Sequence, residues 1–204
     1  MLGKANEGFK SVVNTAAWRF ALQAMLVRLF NYRDNPRAGG EIGAVGANLE
    51  DAEENGLFGI DEAVGRIAAA RAAAPSGSFV LNARIDTYFA GIRGNVFAKM
   101  VQRAVRYLEA GADCVFVPGV VEQDAIRQLA TAIPGPLNVV AGLANTIDAP
   151  TLFSLGVKRV SLGGSLARAA LSMLERAGRE LHDSGTLGFL DGAIGYADLQ
   201  RRFG

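Results

Sequence analysis

The chain has 204 residues, half of them hydrophobic, which suits one domain with a sizeable core and argues against disorder. Its 21 basic and 20 acidic residues leave a net charge of +1, so composition gives no reason to expect nucleic acid as a partner. One cysteine, Cys114, and one histidine, His182, exclude an internal disulfide, a multi-cysteine metal site and a histidine cluster. A single free thiol suits a reducing, cytoplasmic compartment. In chain order, the first feature is the apolar stretch AAWRFALQAMLVRLF. Arg19 and Arg28 interrupt it, so it is neither a membrane span nor the core of a secretory signal. Lys10, Arg19, Arg28 and Arg33 occur with no acid between Glu7 and Asp34, as in an organelle-targeting presequence. An ordinary basic surface helix over residues 10–31 is the preferred reading, with Trp18, Phe20, Leu22, Met25, Leu26, Leu29 and Phe30 as a core-facing or partner-facing stripe.

After this stretch the chain alternates. Runs rich in β-formers are AVGANL (44–49), SFVLNA (78–83), DCVFVP (113–118), LNVVAG (137–142) and KRVSLG (158–163). Their nearly continuous apolar character predicts strands buried on both faces. Helix-length segments lie between them. IDEAVGRIAAARAAA follows Gly59 and stops before Pro75, and GNVFAKMVQRAVRYLEAG puts Val96, Met100, Ala104 and Leu108 on one face. EQDAIRQLATAI and DAPTLFSLG are shorter, and a helix is expected over 164–183. Asp61, Asp124 and Asp148 stand near helix starts as candidate caps. Glycine closes the helix before AGADCVFVP and SLGVKRVSLG, where a left-handed residue is needed. Parallel βα units follow, in either a β/α barrel or an open doubly wound sheet.

In both folds chemistry gathers at the carboxyl ends of the strands. GAVGANLEDAEENG, residues 43–56, ends an apolar run on a cluster of acids. Glu50 and Asp51 end one strand, and Arg84 and Asp86 follow the next. Carboxylates there can hold Mg²⁺, and an arginine can hold a substrate carboxylate or phosphate. The same residues could equally form a salt bridge that orders two loops. SLGGSLARAA could be an anion-binding turn, but a tight strand-to-helix turn also needs Gly163 and Gly164. Cys114 reads as a core residue, and His182 as a surface group at a helix end.

The pieces NLEDA, FVLNARIDTY, AGADCVFVPGV, NVVAG and GVKRVSLGGSLARAA occur in the order and spacing of the isocitrate lyase/phosphoenolpyruvate mutase superfamily. Over roughly residues 42–204 the chain resembles that superfamily's shorter bacterial enzymes. The resemblance implies a (β/α)₈ TIM-type barrel and Mg²⁺-dependent making or breaking of C–C or P–C bonds. It further implies small α-oxycarboxylate substrates and an enolate-like intermediate. It assigns Glu50 to the outer metal shell and Arg84 to the substrate carboxylate. Asn82 and Asp86 match the surrounding motif, Asn82 as a substrate-binding candidate, and Asp51 is a candidate metal ligand. It also implies a homo-oligomer built through an extended C-terminal arm, GTLGFLDGAIGYADLQRRF.

The departures shape the remaining expectations. Only Asp34 precedes Asp51 among the aspartates, so no aspartate-rich strand end is found upstream. Where the lyases place Glu after Phe-Pro, this chain has Val117-Pro118-Gly119. A full barrel takes about 250 residues. The expected architecture is an N-terminally truncated or incomplete barrel, with an atypical helical segment over 1–43 and a partial barrel with a C-terminal arm over 44–204. The function expected is a lyase or mutase of weak or absent activity. The alternatives are a non-catalytic remnant acting as an oligomerisation scaffold and, resting on the glycine turn alone, a phosphate-binding barrel.

Overall fold

The computed structural model describes residues 45–53, 56–74, 77, 79–92, 94–142 and 147–203. The helix expected over 10–31, and with it the proposed 1–43 segment, lies outside the described residues. Five parallel strands form the main sheet: β1 (Gly46–Glu50), β4 (Val80–Arg84), β5 (Cys114–Phe116), β6 (Leu137–Val140) and β7 (Arg159–Ser161). Between β1 and the first helix, β2 (Ala52–Glu53) and β3 (Gly56–Leu57) make a small antiparallel hairpin. The connecting helices are α1 (Ile60–Ala73), α2 (Val96–Glu109), α3 (Gln123–Ala132) and α4 (Ala149–Ser154). Spatial order in the sheet equals chain order. A doubly wound sheet reverses its order at a switch point, so the unbroken order favours a stretch of barrel wall.

Side chains alternate across the strands, and the two faces differ in chemistry. Leu49, Leu81, Ala83, Val115, Leu137 and Val139 share one core with Ile67, Met100, Ala104, Tyr107, Ile126, Leu129 and Leu152 of the helices. The opposite face carries Asn48, Glu50, Asn82, Arg84, Phe116 and Asn138, aligned in register across neighbouring strands. Helices cover the apolar face, so the polar one is the inner face of the wall.

Local chemistry explains most boundaries. Gly111 and Gly156, at φ +105° and +99°, leave α2 and α4 in the conformation that glycine adopts without strain. Asp148 caps α4, accepting from the Thr151 amide at 2.7 Å. Asp61 and Asp124 do not cap; they sit in the first turns of their helices and pair with Arg106 and Arg127. The cap of α2 is instead Asn95, which accepts from the Ala98 amide at 3.1 Å. The first strand runs one residue further than its apolar run suggests, because Glu50 pairs in register with Arg84.

Residues from Gly164 onward belong to a second compact unit. It contains α5 (Ser165–Asp183), a 3₁₀ turn (Gly188–Leu190) and α6 (Tyr196–Phe203), and none of these has a buried residue. Glu180 organises the turn, accepting from the Thr186 hydroxyl at 2.6 Å and the Gly188 and Phe189 amides at 2.5 and 3.0 Å. Among the described residues, no helix is long and apolar enough to cross a membrane.

Candidate functional site

The site is built where β1 and β4 end side by side. Glu50 and Arg84 are Cα partners in adjacent parallel strands, so both side chains leave the sheet on its inner face. Arg84 Nη1 donates to Glu50 Oε1 at 2.6 Å. Its other edge is held by Asp86, whose Oδ1 accepts from Nε at 2.8 Å and lies 2.6 Å from Nη2. The rings of Phe89 and Phe116 flank the guanidinium, with centroids 5.7 and 5.9 Å from Cζ. These are favourable surroundings for a cation. The Arg84 side chain retains 23% exposure and Glu50 39%, so a ligand can reach both.

Asp86 is 1% exposed, and its Oδ2 has no partner among the described residues. Burial pushes its carboxyl up from 3.8 to about 6; Arg84 opposes the shift, while Glu50 and Asp51 add to it.

Asp51, one residue beyond Glu50, faces the other way. It is 3% exposed and lies against α2. Its Oδ2 accepts from Arg103 Nη1 at 3.0 Å and the Tyr107 hydroxyl at 2.7 Å, and its Oδ1 accepts from the Asp86 amide at 2.8 Å. Both oxygens expected to bind a metal therefore already have protein donors. Asn82 lies one inner-face layer below Arg84, fully buried, and donates to Asn48 Oδ1 at 2.6 Å. Its own Oδ1 has no partner among the described residues. Glu50, Arg84 and Asp86 are thus brought together at the rim, while Asn82 is set beneath them and Asp51 behind them.

Sequence reasoning did not single out Arg103 and Tyr107. They stand four residues apart on α2 and face Asp51 together, with the Arg103 Nη1 also donating to the Tyr107 oxygen at 2.7 Å. One signal was present: a tyrosine beside an apolar helix stripe needs a partner for its hydroxyl. Arg103 also donates from Nη2 to the Phe58 carbonyl at 2.7 Å, which ties the base of the β2–β3 hairpin to α2. Cys114 is buried, and burial raises its thiol to about 11, so it is a packing residue and not a nucleophile.

The donor set also bears on a metal. Among the described residues, no three Asp, Glu, His or Cys side chains are grouped to hold an ion. Glu50, accessible and engaged by one oxygen, fits a supporting carboxylate of a Mg²⁺ site that draws further ligands from substrate.

The chain matches the family model described as phosphoenolpyruvate phosphomutase over residues 32–182. A Burkholderia cenocepacia J2315 protein described as a lyase/mutase shares 40% identity with a TM-score of 0.75, over 82% of this chain and 62% of that one. A phosphonopyruvate hydrolase, solved in complex with oxalate and Mg²⁺, is 25% identical with a TM-score of 0.69, over 88% of this chain and 64% of that one. A Corynebacterium glutamicum protein named as a 2-methylisocitrate lyase is 32% identical over 74% of this chain and 53% of its own length. The chain spans less than two thirds of the length of the curated relatives it matches. The described sheet and helices form part of a TIM-type α/β barrel, and the chain belongs to the phosphoenolpyruvate phosphomutase family, within the isocitrate lyase/phosphoenolpyruvate mutase superfamily.

Proposed function

We propose that the inner rim of this sheet binds small α-oxycarboxylates and serves Mg²⁺-dependent lyase or phosphonomutase chemistry through an enolate-like intermediate. One observation carries the reading: Arg84 stands at a strand end with its Nε edge fixed by Asp86 and its Nη1 on the accessible Glu50. Asp86 sets the plane of the guanidinium. A substrate carboxylate exchanges with Glu50 for Nη1, a charge-assisted pairing that arginine geometry favours. Glu50, released, is the residue that would hold Mg²⁺. When bound, Mg²⁺ supplies charge stabilisation to an oxygen that gains electron density as the C–C or P–C bond breaks. The buried Phe116 ring lies on one side of the Arg84 guanidinium, while Phe89 is largely exposed. Asn82 supports the layer below, and Asp51 the layer behind.

Exchange at Glu50 couples the two ligands, so each should raise the affinity of the other. The test is calorimetric titration with oxalate, a planar mimic of the enolate, with and without Mg²⁺. Oxalate is expected to bind more tightly with Mg²⁺, and Arg84→Ala to weaken it by about tenfold or more. Unchanged affinity in Arg84→Ala refutes the assignment.

A second reading has its own support. Asp51, the candidate direct metal ligand, has both oxygens engaged by protein donors, and a chain without that ligand would be a scaffold without turnover. Absence of oxalate binding up to millimolar concentration would favour it. Both readings include a homo-oligomer formed through the C-terminal arm and a reducing, cytoplasmic setting for Cys114.

A further inference from the structure

We infer that Asp51, with Arg103 and Tyr107, is a positioning device that sets the guanidinium of Arg84 through the backbone of Asp86. The inference deepens the reading of Arg84 as the carboxylate grip. The path is continuous. Arg103 and the Tyr107 hydroxyl fix Asp51 Oδ2 from α2, at 3.0 and 2.7 Å. Asp51 Oδ1 holds the Asp86 amide at 2.8 Å, and Asp86 Oδ1 holds Arg84 Nε at 2.8 Å. The main chain closes the same loop, because the Asp51 amide donates to the Arg84 carbonyl at 3.2 Å.

Each link suits orientation more than bulk stability. An Asp86 free to shift would move the acceptor that defines the guanidinium plane. Asp51 is placed to prevent this, since its two oxygens join two different elements, α2 and the turn after β4. A buried carboxylate with three donors is fully satisfied, so the geometry is held firmly. Arg103 extends the hold to Phe58 at the base of the hairpin. None of the three groups touches the accessible face of Arg84, so they act through Asp86 and not on a ligand.

Arginine Nε–H exchange, followed by NMR, tests this without any ligand. The Arg84 signal is assigned by its loss in Arg84→Ala. Arg71 is the internal control, because its Nε donates to the Gly111 carbonyl at 2.8 Å and it pairs with Asp113, outside this network. Asp51→Ala is expected to accelerate exchange at Arg84 by about tenfold or more, the scale at which supporting contacts tune a site. Arg71 stays unchanged. Asp51→Asn keeps an oxygen for the Asp86 amide and restores slow exchange. Tyr107→Phe keeps the ion pair, gives a smaller acceleration confined to Arg84, and serves if Asp51→Ala does not fold. Parallel changes at Arg84 and Arg71, or no change at Arg84, overturn the inference. Oxalate titration of the same variants separates the two claims. If the exchange pattern holds and no variant binds oxalate, the positioning stands and the carboxylate reading falls.

Discussion

Residues 45–163 and residues 164–203 solve the problem of burying apolar surface in opposite ways. The first unit alternates small apolar strands with helices and closes a continuous core around Leu81, Val115, Ile126 and Leu129. The second has comparable apolar content but buries nothing. Leu171, Leu174, Leu187, Tyr196 and Phe203 are 58% exposed or more. Carboxylates follow the same division. In the first unit burial raises Asp86 to about 6. In the second, the Thr186 hydroxyl and then backbone amides lower the half-exposed Glu180. A core stabilises through area removed from water, whereas the arm is ordered by hydrogen bonds and leaves its apolar side chains exposed.

The largest effect should come from breaking the core. Ile126 is 0% exposed at the centre of α3. Ile126→Ala should cost about 2–5 kcal/mol, combining lost transfer energy with a residual cavity. Urea unfolding of the first unit measures it. A cost well under 1 kcal/mol would mean that the packing around α3 collapses to fill the space, and that the contrast with the arm is weaker than the burial implies.

Asp86 gives the next effect, and its sign is set by burial. The folded pKa is raised, so folding favours the protonated form relative to the unfolded chain, although the carboxylate still predominates above about 6. The stabilisation is complete below the ordinary value of 3.8 and is lost as pH rises through about 6. The difference corresponds to about 3 kcal/mol across that window. Asp86→Asn should flatten the dependence of unfolding free energy on pH between those values. Glu180 acts with the opposite sign: its contribution is present above its ordinary pKa and lost as pH falls through the lowered value. Glu180→Gln should therefore change acid-side behaviour only, read by the dichroism of the arm. If the Asp86 slope survives the substitution, another group in the first unit carries it.

Much of the wall was legible because its signals are local. Continuous apolar runs marked five strands, and Gly111 and Gly156 marked two helix ends. The same runs misplaced the end of β1, since hydrophobicity stops at Leu49 while the strand pairing continues through Glu50. Glu50 and Arg84 were readable because strand ends carry chemistry in this kind of fold. Asp51 faces away from Glu50, as alternation along a strand requires, so the two do not form the paired metal carboxylates that their adjacency suggested. The true partners of Asp51 were not readable, because Arg103 and Tyr107 lie 52 and 56 residues away and meet it only through packing. Asn95 was missed as a cap because it was read inside the helix-length run GNVFAKMVQRAVRYLEAG, and two of the three aspartates read as caps of other helices form ion pairs instead.

The smallest effect on folding should come from the arm, and it is the most informative about assembly. Leu171 and Leu174 lie three residues apart on α5, 64% and 67% exposed. Residues at this spacing share a helix face, so they present one apolar patch. Replacing both by serine removes no buried contact, and unfolding of the first unit should shift by no more than about 0.5 kcal/mol. If the arm mediates self-association, the same double substitution should convert an oligomer to a monomer in light scattering at matched concentration. Glu180 would keep its hydrogen bonds to the turn, so loss of the oligomer with the arm still ordered would assign association to the apolar face. A wild-type chain that is already a monodisperse monomer would end the proposal of an arm-built oligomer. A destabilised first unit would instead show that α5 contributes to its folding, and the division into a self-sufficient wall and a dependent arm would have to be abandoned.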